Sequence, residues 1–287
     1  MLIGAHVSSA GGLEKAHARG AESGAETIQI FNQSPRMWRP TAYSAEDLAA
    51  FRALMADGPV RSVVIHAVYL INCAAKEPEI REKSVASLVH ALRVGDAIGA
   101  DGVVLHPGSK KKQDHEESLD YVADALRFAL EESDSCPLLL EDTAGAGDTL
   151  GRTFEELADL IDRTGASERL GLCLDSCHLL ASGFDIATAE GLCHVVDDCD
   201  RLIGLDRLRC LHVNDSKMPL GSNRDRHETV PDGELGREGI AAFLSEPRFE
   251  GLPALLEGPG RDGKDVWADE LTLARELRAE GLRTRAG

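Results

Sequence analysis

The chain has 287 residues, 43% of them apolar, which is enough for a sizeable core and leaves no apolar run long enough to span a bilayer. Acidic residues outnumber basic ones 49 to 31, for a formal charge of −18, so general basicity cannot be what brings a nucleic acid to it. The first residues form a strand-like run with no basic leader ahead of an apolar stretch, so a soluble cytoplasmic protein is expected.

In chain order, LIGAHV reads as a strand near 2–7 ending at His6, with a helix pattern near 12–24. A strand near 27–32 leads into the loop NQSPRMWRPTAY, which holds Arg36, Trp38 and Arg39, and Ser44 opens a helix near 44–57. SVVIHA, a strand near 62–67, carries His66 and runs into VYLINCAAKEP with Tyr69 and Leu70. A helix near 78–99, stopped by Gly99, follows. GVVLHP near 102–107 carries His106 ahead of a helix near 113–134. PLLLEDT near 137–143 carries Glu141, and Thr153 with Glu156 has the spacing of a capping box for a helix near 153–165. LGLCLDSCH holds a strand near 170–176 with Asp175, then His178 on the turn after it; a helix near 187–203 follows. LRCLHVND near 209–214 carries His212 and Asp215, and the loop behind it holds Asp225, Arg226 and His227 before a helix near 237–245. PALLEGP near 253–258 carries Glu257, with a last helix near 266–280.

Eight strand–helix pairs in series, with no antiparallel run and no linker, predict a single-domain α/β fold over residues 1–287, a (β/α)8 TIM barrel. A doubly wound open sheet is the alternative. In either fold the carboxyl ends of parallel strands converge on one face. His66, His106, His178, His212 and His227, with Glu141, Asp175, Asp225 and Glu257, would then meet on one rim. Imidazole and carboxylate donors suit Zn²⁺, Mn²⁺ or Fe²⁺, and three divalent ions would outweigh four carboxylates to leave a pocket that attracts phosphate.

Other features read more plainly. His17, His90, His115 and His194 fall inside helix patterns, and His6 is held to support the rim without binding an ion. Ala144-Gly145-Ala146-Gly147 lacks the ending of a phosphate-binding loop and reads as a turn; Lys110-Lys111-Lys112 reads as a solvated helix start. The seven cysteines form no CxxC pair and are expected to be buried free thiols, Cys173 and Cys177 alternating onto one side of a strand. Lysine supplies only 8 of the 31 basic residues. That balance suits a halophilic host, because at 1 M salt the Debye length is only about 3 Å and self-repulsion is screened.

At these residues the sequence resembles the endonuclease IV family of apurinic/apyrimidinic (AP) endonucleases. The matching stretches are IGAHVSSAGGL, QIFNQSPRMW, HAVYLIN, LHPGS, LEDTAG, LDSCHLLASGFD, HVNDSK, GSNRDRHE and the late Glu257, nearly the whole chain. The resemblance implies a TIM barrel with three Zn²⁺, Mn²⁺ being possible at one site. It would hydrolyse the phosphodiester bond 5′ to an abasic site in double-stranded DNA by zinc-bound hydroxide attack, giving a 3′-hydroxyl and a 5′-deoxyribose phosphate. It implies that His66, His106 and Glu141 hold one ion, that Glu141 bridges to a second held by Asp175, His212 and Glu257, and that His178, Asp225 and His227 hold the third. Glu141 and Glu257 would act in catalysis by orienting the hydroxide, and Arg36, Tyr69 and Leu70 fall where the family inserts side chains into DNA. Val68 and Gly258-Pro259 depart from the expected pattern without touching ligation. A metal-dependent sugar isomerase or epimerase on a similar barrel is the rival reading, and a monomer is the default.

Overall fold

The computed structural model describes residues 1–258 and 267–286. Eight parallel strands close into a barrel: β1 (Leu2–His6), β2 (Thr27–Phe31), β3 (Ser62–His66), β4 (Gly102–Leu105), β5 (Leu138–Glu141), β6 (Leu170–Asp175), β7 (Leu208–His212) and, closing on β1, a last strand Pro253–Leu256. Residues of β3 to β6 are buried on both faces, which is why these strands read as continuous apolar runs and not as alternation. Closure brings β1 against β2 so tightly that a Cβ on Gly4 would lie 1.7 Å from the Thr27 carbonyl oxygen, so only glycine fits there.

Helices α1 (Leu13–Ser23), α2 (Ala45–Asp57), α3 (Pro78–Ile98), α4 (His115–Glu131) and α5 (Phe154–Arg163) cover the first five strands. Beyond β6 come α6 (Ser176–Ser182) and α7 (Ala189–Leu202), and beyond β7 comes α8 (Gly236–Leu244). After the last barrel strand α9 (Ala268–Ala286) packs on α8 and β1. Local chemistry sets the ends: Ser44 and Asp47 form a reciprocal cap on α2, and Gly99 closes α3 at φ 72°. A thick apolar layer between strands and helices includes Ile28, Ile65, Leu88, Leu126, Leu160 and Phe243. A smaller one inside the barrel comprises Val64, Val104, Leu139, Cys173, Cys210 and Leu255. Among the described residues no helix is long and apolar enough to cross a membrane.

Several expectations need correction. The chain is not free of antiparallel pairing, because Asp215–Ser216 (β8) and His227–Glu228 (β9) form a two-stranded hairpin, making the closing barrel strand β10. His178 lies on α6, not on a turn; seven residues are too few for hydrophobic periodicity to reveal a helix. Because α6 starts at Ser176, Cys173 lies on a strand and Cys177 on a helix, not on one side of one strand, and Cys193 is exposed while the other six thiols are buried. The Thr153–Glu156 cap is half formed: Thr153 accepts from the Glu156 amide, but the Glu156 carboxylate takes the Gly151 and Arg152 amides instead. The three lysines lie in the β4–α4 loop ahead of the helix, and α9 runs to Ala286. Pro259 and the predicted helix start at 266 lie outside the described residues.

Candidate metal centre

Side chains alternate along a strand, so residues two apart point to one side. Val64, Val104, Leu139, Cys173, Cys210 and Leu255 form the interior layer of the barrel. Two residues further on stand His66, His106, Glu141, Asp175, His212 and Glu257. Six strands thus place one donor each, at their last residue or, for His106 and Glu257, one residue beyond it, above an apolar floor at the carboxyl-terminal mouth. On β1 and β2 stand His6 and Gln29, which hydrogen-bond one another at 3.1 Å. His178 comes from α6, and Asp225 and His227 from the β8–β9 hairpin, which closes over these donors from one side.

These donors fall into three groups, each with its ligand atoms within 4.8 Å of one another: His66, His106 and Glu141; Glu141, Asp175, His212 and Glu257; and His178, Asp225 and His227. Glu141 belongs to the first two. Its Oε2 lies 2.8 Å from His106 Nε2 and 3.4 Å from His66 Nε2, while its Oε1 lies 2.9 Å from His212 Nδ1. His212 Nδ1 also lies 3.3 Å from Glu257 Oε2. Asp225 offers one oxygen to each imidazole of its group, at 3.3 Å in both cases.

Three histidines have one ring nitrogen committed to a neutral acceptor. His66 Nδ1 donates to the Ala67 carbonyl at 2.6 Å, His178 Nδ1 to the Asp142 carbonyl at 2.9 Å, and His212 Nε2 to Gln29 Oε1 at 2.8 Å. Each therefore turns its other nitrogen, with its lone pair, towards carboxylate oxygens. Such outward anchoring is what metal-ligating histidines require. A lone pair facing carboxylates is repulsive unless a cation stands between them, and Glu141 Oε2 and His227 Nε2 are buried without a hydrogen bond. The donor set fits divalent ions.

The donors also perturb one another strongly. Burial opposes ionisation of Glu141, yet the His106 and His212 imidazoles hold its carboxyl well below the usual range; Glu257, under the same opposition, is held down to about 2, chiefly by His212. Burial likewise disfavours charge on His212 and His178, but Glu257 and Glu141 push the first well above an ordinary imidazole and Asp175 the second. His6, by contrast, is pulled down to about 4 by burial, so it stays neutral and accepts from Gln29.

Sequence reasoning missed two supporting residues. Gln29 donates to Glu257 Oε1 at 2.5 Å while accepting from His212, tying two donors together. Asn214 donates to Asp175 Oδ2 at 2.6 Å and Glu257 Oε2 at 3.1 Å. An amide side chain between the two isoleucines of the TIQIF strand was the available signal for Gln29. Asp215, a strand-end carboxylate, instead accepts four backbone amides, from Ser216, Gly233, Leu235 and Gly236, and so anchors the loop. Tyr69 stands at the mouth, 69% exposed, with its ring 5.4 Å from those of Phe31 and His66. Leu70 is half-buried against the core behind it, and exposed Arg36 lines an 810 Å³ cleft beside His6 and Tyr43. Val68 is buried.

A parallel eight-stranded barrel with an N/O donor layer at its mouth defines a metal-dependent barrel enzyme. Residues 18–277 match the xylose isomerase-like TIM barrel family, and the chain belongs to that family, among its endonuclease IV members. It is 37% identical over 277 residues to the probable endonuclease 4 of Geotalea daltonii, covering 96% of this chain and 97% of the relative. With that of Trichlorobacter lovleyi it shares 40% over 277 residues, covering 96% and 99%. The solved structure of endonuclease IV from Thermus thermophilus superposes with a TM-score of 0.85 at 39% identity, covering 98% of this chain and all of that one. A D-tagatose 3-epimerase-like protein matches with a TM-score of 0.75 at only 18% identity, a likeness of fold alone.

Proposed function

We propose that this protein is a DNA-repair endonuclease that hydrolyses the phosphodiester bond 5′ to abasic sites in duplex DNA, using three Zn²⁺ ions, one per donor group. The observation that carries the reading is the shared Glu141 between two groups, with the third group closing over it, beneath an exposed Tyr69. Ions held there would supply Lewis acidity towards phosphate oxygens and a nucleophile at neutral pH. Glu257 is 12% exposed and held by Gln29 and Asn214, so its carboxylate is positioned to orient an attacking water and take its proton. Arg36, Tyr69 and Leu70 would enter the duplex beside the lesion, where no base has to be unstacked.

Charge placement supports an anionic partner. Arg93, Arg163, Arg237 and Arg248, on or beside the outer helices, are paired with carboxylates. Among the described residues Arg36, Lys110, Lys111 and Lys112, in loops at the mouth, make no ion pair with a carboxylate, as is also true of Lys15 and Arg52 on the outer helices, so it is their position at the mouth that suits a phosphate backbone. The acid-rich, lysine-poor composition supports a halophilic host, in whose concentrated salt the self-repulsion is screened; a cytoplasmic monomer is the default reading. Incubating the zinc-loaded protein with an end-labelled duplex carrying one abasic site, and separately with ketoses, tests the function. Nicking 5′ to the lesion with a 3′-hydroxyl end is expected. Ketose turnover without nicking would replace the reading with an epimerase.

A further inference from the structure

Directly below the donor layer the barrel interior is not uniformly hydrocarbon. Cys173 on β6 and Cys210 on β7 are partners in the strand register, both fully buried, among Val64, Val104, Leu139 and Leu255. Their two sulfurs and a ring nitrogen of His212 all lie within 4.8 Å of one another. Two thiolates on one ion with metal–sulfur bonds of about 2.3 Å or slightly more stand up to about 4.6 Å or slightly more apart, so donors this close are within the span of one ion's shell. Thiolate sulfur selects soft cations, whereas the layer above offers imidazole nitrogen and carboxylate oxygen.

We propose that Cys173, Cys210 and His212 form a site for a thiophilic cation of the Cd²⁺, Hg²⁺ or Cu⁺ class, and that an ion seated there takes His212 from the donors above it. Entry is from the mouth: His106 is 29% exposed and Glu257 12% exposed, and His212 lies between them and the thiols. Binding replaces both thiol protons, which leave to solvent, and changes no oxidation state. The aliphatic neighbours offer no oxygen donor to compete, so the sulfur site is selective against the hard ions. The sulfur site stands without the three-ion reading; only the competition for His212 rests on it.

Titrating the purified protein with Cd²⁺ while recording the ultraviolet thiolate-to-cadmium charge-transfer absorption tests the site. One equivalent should saturate the band, and Cys173→Ser and Cys210→Ser should each weaken cadmium binding at least tenfold. Cys177→Ser, whose thiol neighbours Asp175 and His227, should keep the band. Cadmium X-ray absorption on the unmutated protein needs no variant to fold: two sulfur neighbours are expected, and nitrogen and oxygen neighbours alone would overturn the site while leaving the upper layer intact. A band that survives in both Cys173→Ser and Cys210→Ser would also overturn it. Nicking activity should fall in step with the band; full activity at full absorption would overturn the competition for His212.

Discussion

Replacing Gln29 with Ala removes one side chain that touches three donor-layer residues. Its carbonyl oxygen accepts from His212 Nε2 at 2.8 Å, and its amide donates to Glu257 Oε1 at 2.5 Å and to His6 Nδ1 at 3.1 Å. Without the acceptor, His212 loses what holds its proton on Nε2, and the ring is free to present either nitrogen to Glu141. Hydrogen bonds to charged partners contribute about 1.5–3 kcal/mol each, but water entering from the mouth recovers part of this. Loss of such an anchoring partner costs roughly 10–100-fold in metal affinity. We expect the ion bound by Glu141, Asp175, His212 and Glu257 to weaken by about that factor, with the ion at His178, Asp225 and His227 nearly unaffected. Competition with a chromophoric chelator, followed by elemental analysis, resolves the two. Gln29→Ala with every ion bound within twofold of the parent would show that the Gln29–His212 bond is incidental.

Other outcomes follow from the same geometry. His227→Ala should lower bound zinc from about three towards two per chain, because a Zn²⁺ site needs three or more protein ligands; elemental analysis showing an unchanged count would refute the hairpin group. Glu257→Gln should keep the far-ultraviolet circular dichroism of the parent and reduce nicking by about 100-fold or more, and a loss within tenfold would remove Glu257 from catalysis. Tyr69→Ala should reduce discrimination between abasic and intact duplex even in concentrated salt, since stacking is not screened; equal discrimination in a competition binding assay would sink the wedge role. Asp96 accepts amides from Asp134, Ser135 and Cys136, and these bonds, working against burial, hold its carboxyl below the ordinary value. Its stabilisation is therefore complete above about pH 4 and lost as pH falls through the lowered folded value. Asp96→Ala should cost about 1 kcal/mol in urea unfolding at pH 7, discounted for its exposure, and the gap to the parent should narrow on acidification.

The barrel and its donors were legible because both are written locally. Each strand is a short apolar run, and the donor comes at its end, so counting runs located β1 to β7, β10 and the residues at their mouths. The grouping of those donors was not local. His212 meets Glu141 across 71 residues and Gln29 across 183, distances set by barrel closure, and no spacing in the chain encodes them. For the same reason Gln29 and Asn214 passed as ordinary polar residues, and Asp215 could not be told from a ligand until its carboxylate was seen accepting amides from its own loop. Sequence by itself determined which strands form and which donor types end them, because side-chain alternation and apolar burial act over a few residues. Only the tertiary structure decided which donors stand close enough to share an ion, which histidine nitrogen faces the carboxylates, and that two thiols lie beneath, because strand register and closure are collective properties of all eight strands.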